Sequence, residues 1–147
     1  MGLETEPGKV QPKLGSVYSL TQNPDDDKKA LVNWHFGDVD ISNGLEWSLD
    51  GKTFYYIDTL SFKLQAFDFD GTTGKLSNRR DIFVFKEHNV EGCPDGMTID
   101  NEGHLWVAMW GSGKVRIHHK KVVSCVENLG QFSPMPFQST SIYVNLE

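Results

Sequence analysis

The chain has 147 residues, 38% of them hydrophobic and 12% aromatic, enough for one domain around one sizeable core. Fourteen basic residues against 20 acidic ones give a formal net charge of -6, and no basic run exceeds two residues. That balance argues against nucleic acid or an anionic membrane as partner, and no apolar run approaches the ~20 residues that span a bilayer.

The first residues, Met1–Glu6, lack the basic and apolar stretches of a secretory leader. Gly15–Leu20 and Leu31–Phe36 alternate apolar and polar residues and read as two strands, with Gln22–Lys29 a polar, acidic turn between them. Two later stretches resemble each other, Asn43–Tyr56 and Asp95–Ala108, and align without a gap at an offset of 52 residues. Each has Asn or Asp before Gly, an alternating strand, an acidic-Gly turn (Asp50-Gly51, Glu102-Gly103) and a second aromatic strand. A third strand follows in each copy, Lys63–Phe69 and Lys114–His118. The first copy adds the turn Asp70–Gly74 and a fourth strand, Asp81–Phe85.

Four antiparallel strands in about fifty residues predict an all-β fold of β-propeller blades. The single partial domain over 1–147 divides into a half blade at 15–36, a complete blade at 40–86, most of a blade at 94–119 and an irregular segment at 120–147. In that last segment, Val122–Cys125 and Ser141–Val144 look like the first strands of a next blade. A propeller closes with about four to eight blades, so the expectation is a portion, or a truncated product, of a longer protein. No segment carries a helical stripe. Cys93 and Cys125 are too few for a disulfide framework, which points to the reducing cytosol and a cytoplasmic protein.

Asn43 and Asp95 occupy equivalent places just before the innermost strands of consecutive blades, positions that ring the mouth of a propeller channel. An amide and a carboxylate are hard oxygen donors that suit Ca2+, Mg2+ or Mn2+, and Zn2+ as well. Asn or Asp before Gly also forms simple Asx turns, and the residues alone favour that reading. Other motifs carry less. Asp38–Gly44 departs from a calcium loop, its Gly one place late and Leu49 standing where the bidentate Glu belongs. Asp25-Asp26-Asp27 reads as a solvated hairpin tip, His118-His119 as neighbours facing opposite sides of a strand, and Gly111-Ser112-Gly113 as a turn rather than a nucleophile elbow. Phe54, Tyr55, Trp47 and Trp106 recur at strand positions and read as blade core, with Trp110 one step beyond.

Asp40–Ser48, Phe54–Asp58, Ala66–Asp70, Leu76–Arg80, Pro94–Met97 and Leu105–Ala108 together resemble the regucalcin, gluconolactonase and luciferin-regenerating-enzyme family. The resemblance runs from Gly15 to about His118. It implies a six-bladed propeller with an axial divalent metal that hydrolyses sugar lactones such as gluconolactone. Asn43 and Asp95 match two of the family's metal ligands, with Asp95 also the general base toward a water. The third ligand, an N-terminal Glu, and the family's substrate-gripping Arg and Asn have no counterpart in this chain. A calcium-handling role without catalysis, or an inactive truncated product, are the alternatives on the same scaffold.

Overall fold

The computed structural model describes residues 4–6, 9–119 and 122–126, all built from antiparallel sheets. A short pair, β1 (Glu4–Glu6) and β2 (Lys9–Val10), precedes a hairpin of β3 (Gly15–Asn23) and β4 (Asp26–Val39). The hairpin turn is tighter than the acidic stretch suggested. Asn23 pairs with Asp26, so only Pro24 and Asp25 lie between the strands, and the Asn23 side chain accepts the Asp25 N–H at 2.9 Å.

Two four-stranded sheets follow. The first contains β5 (Ser42–Trp47), β6 (Thr53–Asp58), β7 (Lys63–Asp70) and β8 (Lys75–Val84), paired in chain order. The second contains β9 (Cys93–Ile99), β10 (Leu105–Trp110), β11 (Lys114–His119) and β12 (Val122–Val126). Short 3-10 turns at Thr59–Ser61 and Phe85–His88 end β6 and β8. The all-β, blade-like architecture expected from the repeat is present.

One expectation is corrected by β12. Val122–Val126 pairs along β11, from Val115↔Val126 to His119↔Val122, and so supplies the fourth strand of this sheet instead of opening the next. Ser141–Val144, the other stretch read as a strand, lies outside the described residues, as does all of 127–147.

The repeat is also not gapless. In the first sheet Trp47 pairs with Phe54, and Ser48 N–H donates to Thr53 O at 2.9 Å. In the second, Ile99 pairs with Leu105, and Asp100 N–H donates to His104 O at 3.0 Å. The second turn is one residue shorter, so β10 matches β6 at an offset of 51. Because strand faces alternate with period 2, that deletion makes Leu105, Val107 and Met109 the counterparts of Phe54, Tyr56 and Asp58.

The sheets stack through two apolar clusters. Ile57, Leu64 and Phe83 of the first sheet, with Phe85 of the turn after β8, meet Leu105, Val107 and Met109 of the second. Phe54, Tyr56 and Phe67 meet Val17, Phe36 and Val39 of the β3–β4 hairpin. Fully buried side chains of this kind each contribute about 1.5–3 kcal/mol. A polar chain reinforces the second contact. Arg79 lies 4.8 Å over the Phe36 ring and donates to Gln65 Oε1 at 2.8 Å, and buried Gln65 donates to Asp81 Oδ1 at 2.7 Å. Burial by itself would raise the Asp81 carboxyl, but the Gln65 and Lys63 hydrogen bonds outweigh it and hold the group below its ordinary range.

The far face of the hairpin is open. A bulge at His35 shifts the register from Val17↔Phe36 to Tyr18↔Trp34, which leaves Tyr18, Leu20, Val32 and Trp34 exposed. Among the described residues no helix is long and apolar enough to cross a membrane.

Candidate metal centre

Asn43 and Asp95 sit on the innermost strands of the two complete sheets, the second residue of β5 and the third of β9. Those strands run side by side, and Gly44 is the reason they can. A Cβ built there would lie 2.8 Å from the Asp95 carbonyl oxygen, 2.8 Å from Met97 Cβ and 3.1 Å from Met97 N. Backbone therefore packs directly on backbone beside Asn43, which brings this residue and Asp95 to neighbouring positions on one rim. The Asn-Gly and Asp-Gly steps are elements of strand here, not free-standing turns.

The Asn43 side chain is tied at one end. Its Nδ2 donates to Thr59 Oγ1 at 3.1 Å, so Oδ1 is the end left to accept. Thr59 is itself buried, 7% exposed, as is the preceding Asp58 at 6%. The Asp58 carboxylate accepts the Asp40 and Ile41 N–H groups at 3.1 and 2.9 Å, and Thr59 N–H donates to Ile41 O at 3.0 Å. The segment leading into Asn43 is thus strapped to the end of β6. Sequence reasoning passed over Asp58 and Thr59. The available signal was an acid closing the apolar run Phe54–Ile57, since a buried carboxylate needs hydrogen-bond donors.

The Asp95 side chain is half-buried and, among the described residues, makes no hydrogen bond or ion pair. An amide oxygen and a carboxylate, both with free lone pairs on adjacent strands, fit a hard divalent cation. The described residues contain no cluster of three or more His, Cys, Asp or Glu able to hold a metal, so Asn43 and Asp95 are the two donors that the sequence assigns here. Cys93, two residues before Asp95, is a free thiol.

The aromatic residues divide. Phe54 is core, and Tyr55 packs against the inter-sheet cluster. Trp47 is 39% exposed and leans on Phe54 and Phe69 from the rim. Trp106 is half-buried and donates its indole N–H to Asp100 Oδ2 at 2.9 Å. Trp110 is 68% exposed. His118 and His119 lie on β11, with side chains outside the described set.

Comparison with known proteins shows the family. Residues 1–126 match the family profile described as SMP-30/Gluconolactonase/LRE-like region. Over 115 residues the chain is 50% identical to regucalcin of Gallus gallus, 51% to that of Bos taurus and 50% to that of Homo sapiens. Each alignment covers 78% of this chain and 36% of the relative, so the chain spans about a third of their length. Among solved structures, a luciferin-regenerating enzyme superposes with TM-score 0.64 at 40% identity, over 68% of this chain and 33% of that one. A calcium-binding protein, regucalcin, from Agrobacterium tumefaciens gives 0.62 at 30% identity, over 74% and 34%. A gluconolactonase from Xanthomonas campestris gives 0.53 at 30% identity, over 71% and 31%. With its repeat, its stacked sheets and a matching profile over most of its length, the chain belongs to the SMP-30/gluconolactonase/luciferin-regenerating-enzyme family.

Proposed function

We propose that this chain carries part of a divalent-metal-dependent lactonase of the regucalcin/gluconolactonase type, acting on sugar lactones. Asn43 Oδ1 and the Asp95 carboxylate would hold Ca2+, Zn2+, Mn2+ or Mg2+. The observation that carries this reading is the side-by-side placement of β5 and β9 at Gly44, with the Asn43 nitrogen tied back to Thr59. When bound, the ion supplies Lewis-acid polarisation of a carbonyl and a lowered pKa for water.

The chain's own residues do the rest. Asn43 contributes a neutral oxygen that orients without adding charge, and Asp95 accepts the proton of the water that attacks the lactone carbonyl. No covalent nucleophile enters the scheme. The name of the Xanthomonas relative supports a lactone as the small-molecule partner. The acidic composition speaks against nucleic acid and membrane, and the sparse cysteines favour the cytosol.

A second reading, calcium binding without catalysis, is favoured by the description of the Agrobacterium relative as a calcium-binding protein and by the two-donor set of this chain. A truncated product without activity is the third. With one charged donor, Ca2+ binding is expected to be no tighter than about 10⁻³ M. Calorimetric titration with Ca2+ tests the site: Asp95→Ala abolishes binding, whereas binding unchanged by the substitution removes the site. Gluconolactone hydrolysis, with and without added metal, then separates the enzyme from the binding protein.

A further inference from the structure

We infer that Thr59, backed by Asp58, is a positioning residue that anchors the Asn43 side chain beside the cation site. This inference rests on the metal reading above.

The two ends of an amide have nearly the same size and opposite hydrogen-bonding character. Only the oxygen accepts a cation, and a rotated amide would present two N–H donors to it. Thr59 Oγ1 accepts from Asn43 Nδ2 at 3.1 Å, which pins the side chain with Oδ1 as the end left to accept. The hydroxyl is held in place by its own backbone, since Thr59 N–H donates to Ile41 O at 3.0 Å. Asp58 fixes the same strap from the other side through the Asp40 and Ile41 N–H groups. Both residues are buried, so the strap works away from water.

The second sheet supplies the control. With the offset of 51, the counterparts of Asp58 and Thr59 are Met109 and Trp110, neither with a group that could do this. The donor there is Asp95, whose side chain has no such anchor among the described residues. What the sheets do share is a serine three residues on from Asp58 and Met109. Ser61 and Ser112 donate their hydroxyls to Asp58 O at 2.7 Å and Met109 O at 3.0 Å. The serine contact is therefore common to both sheets, although Gly111 takes a positive φ that the 3-10 turn at Thr59–Ser61 does not have. Among the described residues the polar strap occurs beside Asn43 and not beside Asp95.

The test compares wild type, Thr59→Val and Thr59→Ser in the full 147-residue chain. Valine keeps the shape of threonine and removes the acceptor, while serine keeps the acceptor. Calorimetry with Ca2+ is expected to show binding weakened about 10-fold or more by Thr59→Val and restored by Thr59→Ser. Equal affinities in all three proteins, or a serine variant as weak as the valine one, would overturn the inference. The Asn43 side-chain amide resonances of the metal-free chain give a second readout. Slowed exchange with solvent is expected in wild type and Thr59→Ser and lost in Thr59→Val, and indifference to the substitution overturns the inference. A wild type that binds no Ca2+ sinks the metal reading, and the amide resonances still decide the positioning. Should Thr59→Val not fold, Thr59→Ala takes its place against Thr59→Ser.

Discussion

Both complete sheets pair four strands in chain order, yet the first is covered on both faces and the second, among the described residues, on one. Equivalent glycines show the difference at atomic scale. Gly44 has β9 against it at a distance no side chain could share, while a Cβ at Gly96 would meet nothing within 4 Å. On β10, Leu105 is 2% exposed toward the first sheet, and Trp110 on the opposite face is 68% exposed. The same local plan therefore has different energetic weight in its two copies, because sheet stability here comes from what each face is stacked upon.

Substitutions on the two faces of β10 are the strongest way to break that comparison. Leu105→Ala is expected to cost about 3 kcal/mol in urea unfolding, and Trp110→Ala to stay within about 0.5 kcal/mol of wild type. A Trp110 variant as costly as the Leu105 one would mean that the outer face is covered in solution. Next in size, Gly44→Ala should cost about 1–3 kcal/mol, because the contact it violates is with backbone. Gly96→Ala should cost far less, and equal losses would remove the close approach on which the metal centre rests.

The turns sharpen the comparison by pH. Asp100 closes the shorter turn, accepting the Glu102 and His104 N–H groups, His104 Nδ1 and the Trp106 indole at 2.8–2.9 Å. Burial opposes its charge, but the Trp106 and His104 hydrogen bonds prevail and hold it far below its ordinary 3.8. In the longer turn Asp50 is lowered too, first by the Ser48 hydroxyl and then by the Lys52 N–H. A carboxyl depressed on folding stabilises fully above its unfolded value, and that stability is lost as pH falls through the folded one. Acid titration of unfolding midpoints below about pH 4 should therefore flatten more in Asp100→Asn than in Asp50→Asn. Similar curves for both would sink the assignment.

The smallest effect is expected at Tyr56. Its hydroxyl is buried with no partner at hydrogen-bond geometry among the described residues, and burial raises the phenol above its ordinary value, opposed in part by the nearby Ser42 side chain. Tyr56→Phe should fall within about 1 kcal/mol of wild type, on the stabilising side. A clear loss of stability would reveal a partner for that oxygen.

Much of this was legible in the residues. Period-2 alternation, the acidic-Gly turns and the recurrence of Asn-Gly and Asp-Gly place the strands and bring Asn43 and Asp95 to one rim. The one-residue deletion in the second turn was hidden, because Gly51 and Gly103 still align and the aromatic Phe54 and Trp106 then match on the wrong faces. Only pairing partners expose such a slip. The role of Val122–Val126 was hidden as well, since a short alternating strand closes one sheet or opens another with the same pattern. Asp58 and Thr59 escaped notice for a different reason: their importance lies in main-chain groups of Asp40 and Ile41, which leave no mark on the side-chain pattern.

With no side chain between β5 and β9 at Gly44, the spacing of the two strands beside Asn43 and Asp95 is set by main-chain contact. Asn43→Gln or Asp95→Glu lengthens a donor by one methylene while the frame stays fixed. In the proposed metal site, ion size preference would then be set at the tips of two side chains, independently of the strands that carry them.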